Sequence, residues 1–387
     1  MKDDALLGFL VALAVAALVT PVVARLALRI GAVDALRERG LARTATPLLG
    51  GLAIFAATLV AALLFVPMTD AAKGILGGAA VITAVGALDD WRELGAATKL
   101  AGQVAAALVL VLAGVTVDDV TLPFLGRVEF GTTGDVLTLA GLVAVMNVVN
   151  FSDGIDGLAA GVCAISAAAF AVIAFDLQKD AAGVLAAITA GAALGFLVHN
   201  FHPASVFMGD CGSNLLGLLL GGVIVEGSLK TNALIALIVP LVVLAVPFLD
   251  TGFVVAKRIK YRRPVYQADS NHFHHRFHRI GFSQRRTVLY LYGWTIMMAG
   301  LAVALRFVPY SDAGVLNVGW ALVMGGCFAL ALAASAYLVL VLEILKLRRL
   351  RGWQLRHADP DTTELEIDAE VERELETGEF RALDPRY

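Results

Sequence analysis

Three stretches of this sequence concentrate carboxylates and amides in a way that suits holding a cation and a phosphate. The first is Asp89-Asp90, directly after an apolar run and followed by Trp91, Arg92, Glu93 and Lys99. Adjacent carboxylates repel, which favours a cation between them and a phosphate-bearing ligand. The plainer alternative is a pair of helix-capping aspartates at the start of the helix that leads to Lys99. The second stretch is Asn147-Val-Val-Asn150-Phe-Ser-Asp153-Gly-Ile-Asp156-Gly157. Steps of three residues keep Asn147 and Asn150 on one helix face, with Asp153 and Asp156 following at its mouth. Two amides and two acids there suit a hydrated cation with a polar ligand. Helix-to-helix hydrogen bonds and Asp-Gly turns are the competing account. The third runs from His199-Asn200 to Asn214, where Gly209 and Gly212 flank Asp210-Cys211 just before another apolar run. An acid among the free N–H groups of a helix start suits a metal-bound phosphate, or else is a simple cap.

A fourth stretch is basic. His272, His274, His275 and His278 fall within seven residues, interleaved with Arg276 and Arg279. Cationic donors for a pyrophosphate fit this better than zinc, whose ligands are neutral or anionic and do not have arginines among them. The Lys257–Arg263 cluster reads first as an anchor at a membrane surface.

Membrane helices must position these groups. The chain of 387 residues is 59% apolar and 16% charged, against about 25% charged in a soluble domain. Eleven apolar runs recur, at about 5–27, 48–66, 72–88, 100–115, 136–151, 158–175, 182–198, 213–229, 232–249, 287–308 and 316–344. Each is near the ~20 residues that cross a bilayer as a helix. Backbone groups in lipid must be hydrogen-bonded within their own segment, so the expected fold is all-α, a polytopic membrane bundle with about eleven spans. The first run lacks a small-residue cleavage site and reads as a retained span. Twenty-four Lys/Arg lie on one side of the spans and six on the other, which places the N-terminus outside and the basic side, with the C-terminus, in the cytoplasm. Segment 117–135 is expected to form a short external hairpin. Residues 1–345 form one transmembrane domain and 346–387 a charged cytoplasmic tail, basic then acidic and mobile. A net charge of −3 predicts no nucleic-acid partner. Three cysteines, 38 glycines and 11 prolines exclude a disulfide scaffold, collagen and disorder.

With these loops together, the chain resembles the polyprenyl-phosphate N-acetylhexosamine-1-phosphate transferase family of membrane enzymes. The resemblance rests on Asp89-Asp90, Asn147–Gly157, Asn200 with Phe207–Gly212, and His272–Arg276 followed by Gly281–Thr287, in that order. The His-x-His-His form is similar to the branch that uses UDP-N-acetylglucosamine; the branch that transfers phospho-MurNAc-pentapeptide has consecutive histidines. One departure lies in the first inside loop, where the family usually has a His and a basic residue and this chain has Ala42 and Leu48, with Arg43 nearby.

The resemblance implies that an undecaprenyl or decaprenyl phosphate attacks the sugar-linked phosphorus of a UDP-sugar and releases UMP. It implies Mg²⁺, or Mn²⁺, held by Asp210 and Asn150 with Asp89 and Asp90 beside it. Asn200, Asp153 and Asp156 become candidates for the nucleotide side, His272, His274, His275 and Arg276 for the pyrophosphate, and Asn147 a further substrate-binding candidate. Asp89 as a base and a carboxylate as covalent nucleophile both stay open, as does the choice between a monomer and a homodimer. An ion-coupled transporter would also use membrane carboxylates, but near the midplane on interrupted helices. A metal-sensing membrane protein would use the histidines without turnover.

Overall fold

A computed structural model describes residues 2–34, 46–122, 126–227, 283–308 and 315–343, the stretch 363–377, and a few isolated positions between them. Among these, eleven helices follow in order: α1 (Lys2–Ile30), α2 (Gly50–Phe65), α3 (Asp70–Arg92), α4 (Ala96–Leu112), α5 (Thr132–Ser152), α6 (Leu158–Asp176), α7 (Asp180–Asn200), α8 (Gly209–Gly227), α9 (Gln284–Phe307), α10 (Val318–Glu343) and α11 (Glu364–Thr377). The chain is an all-α polytopic membrane bundle, and among the described residues six helices (α1, α3, α5, α6, α7 and α9) are long and apolar enough to cross a bilayer. Three two-stranded antiparallel hairpins interrupt the helices: β1 (Val33–Asp34) with β2 (Thr46–Pro47), β3 (Asp119–Leu122) with β4 (Gly126–Glu129), and β5 (Ser311–Asp312) with β6 (Val315–Leu316). The β3–β4 pair is the hairpin expected in segment 117–135, in register Asp119↔Glu129.

The chain divides into two compact units. One comprises Met1–His272 and Gln284–Val308, the other Phe273–Ser283 and Pro309–Tyr387. In the first, α6 and α7 are buried over most of their apolar length and α1 over a minor part of its own, so α6 and α7 are central and α1 turns most of its surface outward. Lipid is as apolar as leucine, and helices in it associate by close packing of small residues. The contact of α1 with α7 shows this: Ala12 and Ala16 are fully buried, and α1 carbonyls approach Gly191 and Gly195 so closely that a Cβ there would collide. Helix α8 lies against α2, α3, α5, α6 and α7 and is buried along nearly all its length. The second unit holds α10 and α11. In it Ile367 and Val371, one turn apart, pack with Leu355, so the acidic tail, expected to be mobile, contains a helix with one apolar face.

Ten of the eleven apolar runs fall on helices; the run 232–249 lies almost wholly outside the described residues. The boundaries shift where it matters most. The apolar run ends at about residue 88, just before Asp89 and Asp90, yet α3 continues through Arg92 and α4 begins at Ala96, which puts the pair in the last turn of α3 and Lys99 in the first turns of α4. An apolar run marks the stretch suited to lipid, whereas the backbone ladder carries on into polar sequence until a residue such as Glu93, at φ 47°, breaks it.

Candidate active site

Five helix ends meet at one end of the first unit: the C-terminal turns of α3 and α5 and the N-terminal turns of α2, α4 and α8. The loop before α8 docks on α2, whose Gly50 and Gly51 N–H groups donate to Phe207 O and Met208 O at 3.0 Å each. Asp90 then reaches across from α3 and takes the first free N–H groups of α8: Asp210 N donates to its Oδ1 at 2.7 Å and Cys211 N to its Oδ2 at 3.2 Å. So close an approach needs two glycines. A Cβ on Gly86 would strike the backbone of Cys211, and one on Gly209, at φ 69°, would strike the Asp90 carboxylate. Asp90 is therefore a cap, as the plainer reading of the pair allowed, but of α8 and not of α4. The start of α4 has Gly95 at its cap and no side-chain bond there.

Asp89 and Asp210 face one another across a cation of the protein's own. Lys99 Nζ lies 2.6 Å from Asp89 Oδ2 and 2.8 Å from Asp210 Oδ2. Asp89 Oδ1 accepts from Leu94 N at 2.6 Å, which closes the turn after α3. On the far side of Asp210, Asn150 Nδ2 donates to its Oδ1 at 3.0 Å and to Ser213 Oγ at 2.9 Å. One oxygen from each of Asp89, Asp90 and Asp210 lies within 4.8 Å of the others, close enough to share a metal ion. Three carboxyl groups share one ammonium, a hard-oxygen donor set that fits Mg²⁺ or Mn²⁺.

The nucleotide-side candidates are arranged differently. Asp153 caps the C-terminus of α5 and is half-buried; burial, then the charges of Asp210, Asp90 and Asp156, push its carboxyl up to about 7. Asp156 Oδ2 accepts from His202 Nδ1 at 2.7 Å and Ala204 N at 3.0 Å, and Arg285 Nε donates to His202 O at 3.0 Å, tying α9 to the same loop. Asn200 is 2% exposed. Its Oδ1 accepts from Gly157 N and its Nδ2 donates to Val206 O, both at 3.0 Å, so it joins the ends of α6 and α7 and has no polar end turned toward a ligand. Asn147 points to α4, with Nδ2 on Gln103 Oε1 and Val143 O at 2.8 Å each. His272, His274, His275 and Arg276 lie outside the described residues.

Lys99, His202, Ser213 and Gln103 were not singled out in the sequence. Lys99 carried a usable signal, being the only charge in α4, since a lone ionisable residue on an otherwise apolar helix is costly and marks a site.

The model of glycosyl transferase family 4 matches residues 72–228. A Bacillus subtilis protein described as a probable undecaprenyl-phosphate N-acetylglucosaminyl 1-phosphate transferase is 37% identical over 287 residues, spanning 74% of this chain and 80% of that protein. The chain belongs to this transferase family. A Mycobacterium leprae decaprenyl-phosphate N-acetylglucosaminephosphotransferase is 36% identical over 356 residues, 84% of this chain and 89% of its own. A Desulforudis audaxviator phospho-N-acetylmuramoyl-pentapeptide-transferase is 34% identical over 331 residues, 77% of this chain and 95% of its own. The region matched to the family contains Asp89, Asp90, Lys99 and Asp210, the whole of the charged cluster, together with Asn150.

Proposed function

We propose that the chain transfers N-acetylglucosamine 1-phosphate from UDP-N-acetylglucosamine to undecaprenyl or decaprenyl phosphate, releasing UMP. The observation that carries this reading is the cluster of Asp89, Asp90, Asp210 and Lys99 at the ends of membrane helices. It sits in a chain 36% and 37% identical to proteins described as polyprenyl-phosphate N-acetylglucosamine transferases. In the reaction an oxygen of the lipid phosphate bonds to the sugar-linked phosphorus, and the bond from that phosphorus to UMP breaks. Phosphoryl transfer of this kind is governed by positioning and charge neutralisation. A lipid phosphate has a second pKa near ~6 and is largely dianionic at neutral pH, so Asp89 is assigned to holding Lys99 and the cation, not to removing a proton.

Asp210 and Asn150 would hold Mg²⁺, with Asp89 beside it; once bound, the ion neutralises charge on the diphosphate. Asp90 holds the first turn of α8 and thereby aims Asp210. Lys99 keeps Asp89 and Asp210 from repelling one another and adds positive charge facing the phosphates. Asp153 and Asp156, the latter set by His202, take the nucleotide side, and His272, His274, His275 and Arg276 the pyrophosphate. The excess of Lys/Arg on one side of the spans supports a cytoplasmic site in the plasma membrane, where a water-soluble nucleotide sugar and a lipid can both reach it.

The test is UMP release by the purified protein in detergent with a polyprenyl phosphate and Mg²⁺, with EDTA as control. UDP-N-acetylglucosamine and UDP-MurNAc-pentapeptide are offered separately. EDTA-sensitive release with the first donor alone is expected. Release with the pentapeptide donor alone would move the chain to the other branch, and release with neither from folded protein would overturn the reading.

A further inference from the structure

The charged cluster has a neutral counterpart one helical turn further into the bundle. Lys99 and Gln103 are four residues apart on α4, Asp210 and Asn214 four apart on α8, and Asn150 and Asn147 three apart on α5. Each spacing puts the pair on one helix face. At the helix ends, Asp210 is joined to Lys99 at 2.8 Å and to Asn150 at 3.0 Å. One turn in, Gln103 Nε2 donates to Asn214 Oδ1 and Asn147 Nδ2 donates to Gln103 Oε1, both at 2.8 Å. The two levels are joined through α8, where Asn214 Nδ2 donates to the main-chain oxygen of Asp210 at 2.8 Å.

These amides form a one-way donor chain from Asn147 through Gln103 and Asn214 to Asp210 O. Main-chain carbonyls, which only accept, impose the direction at both ends, Val143 O at the start and Asp210 O at the finish. Gln103 and Asn214 are 6% and 5% exposed, so water does not stand in for a missing partner. Gln103 alone bonds both neighbouring helices, with its donor on α8 and its acceptor on α5.

We infer that Gln103 is a positioning residue: through Asn147 and Asn214 it locks α4, α5 and α8 in the register that brings Lys99, Asn150 and Asp210 together. Its consequence for turnover rests on the proposed transferase reaction; its consequence for the geometry of Asp210 does not. Groups that orient a metal-binding side chain, when removed, typically change metal affinity or activity by about 10–100-fold.

Two variants of the full-length protein test this. Q103M keeps the volume and removes both hydrogen bonds; kcat for UMP release should fall about 10–100-fold, with KM for UDP-N-acetylglucosamine within about twofold of wild type. Q103E supplies a conservative rescue. Burial favours its neutral form, whose O–H can replace the donor to Asn214 while its C=O still accepts from Asn147. The charged groups near this end of the helices packed against α4 are Asp89, Asp90 and Arg92 of α3 and Asp210 of α8, with Lys99 on α4 itself; α5 brings Asn147 and Asn150 to this level. Relative to wild type at each pH, Q103E should be within about threefold at pH 6 and decline toward Q103M by pH 9. Mn²⁺ titration followed by electron paramagnetic resonance reads Asp210 without turnover, and Q103M should bind about tenfold more weakly. If Q103M keeps wild-type kcat per folded molecule and wild-type Mn²⁺ affinity, Gln103 only glues helices and the inference is overturned. If wild type releases no UMP while Q103M still weakens Mn²⁺ binding, the proposed reaction fails and the positioning role stands.

Discussion

The two levels of the α4, α5 and α8 contact use the same three helices and differ in chemistry. At the helix ends Lys99 and Asp210 carry charge and Asn150 donates to the carboxylate, with Lys99 39% exposed; one turn in, Gln103, Asn147 and Asn214 are neutral amides that satisfy one another. Charge is tolerated where water and ions can reach it. Deeper in, a polar group is stable only when its partners are built in and uncharged. Reactivity can therefore sit at the bundle end while the adjacent turn supplies rigidity.

Four substitutions would break or sharpen this contrast. Asp210→Asn puts an amide where the outer level has its carboxylate, as Asn214 does one turn in. Losing several kcal/mol of metal-assisted charge stabilisation should lower kcat by at least about a thousandfold, while the thermal midpoint of the purified protein stays close to wild type; near-normal UMP release would refute the assignment. Lys99→Met leaves Asp89 and Asp210 facing each other without a cation. Discounted for partial exposure, the loss of stability should be about 1–3 kcal/mol, and added Mg²⁺ should restore much of the thermal midpoint. A midpoint insensitive to Mg²⁺ would show that no divalent cation takes up the charge.

Asn147→Leu touches the inner level alone. Intramembrane hydrogen bonds are worth about 0.6–2 kcal/mol, so thermal scans should show a small loss while kcat falls about tenfold; a large loss of stability with normal kcat would reverse the roles of the levels. Asp153→Asn probes the edge of the site. The Asp153 carboxyl is raised to about 7 by burial and by Asp210, Asp90 and Asp156, against about 3.9 in an unfolded chain. Its cost is absent below the unfolded value, grows as pH rises, and is complete above the folded value. The stability gained by Asp153→Asn should therefore be larger at pH 8 than at pH 5, by about 1 kcal/mol after solvent screening. Equal gains in thermal scans at the two pH values would show that Asp153 titrates normally.

The apolar runs that became α1 to α10 were legible because lipid admits few backbone solutions, and a long unbroken apolar run is the plainest of them. The three carboxylates of the cluster were legible for the opposite reason, as acids at the edges of apolar sequence. Less legible was what each group does. Asp90 had been read as a partner in a cation pair or as a cap of the next helix, and it caps α8, whose N–H groups are 120 and 121 residues away. Asn200 carried the same polar signal as Asn150, yet both ends of its amide are spent on backbone.

The sequence by itself determined that this is an all-α membrane bundle and marked Asp89, Asp90, Asn150 and Asp210 among the candidates to meet a cation, because burial in lipid filters residue types strongly and locally. Only the tertiary structure decided that Lys99 stands between Asp89 and Asp210, that His202 sets Asp156, and that Gln103 closes an amide chain beneath the site. Those pairings depend on helix register and crossing, which arise from backbone contacts at Gly51, Gly86 and Gly212 between segments far apart in the chain. Hydrophobic periodicity says which residues are buried, but the partner of a buried polar group is chosen by where two helices come to lie against each other.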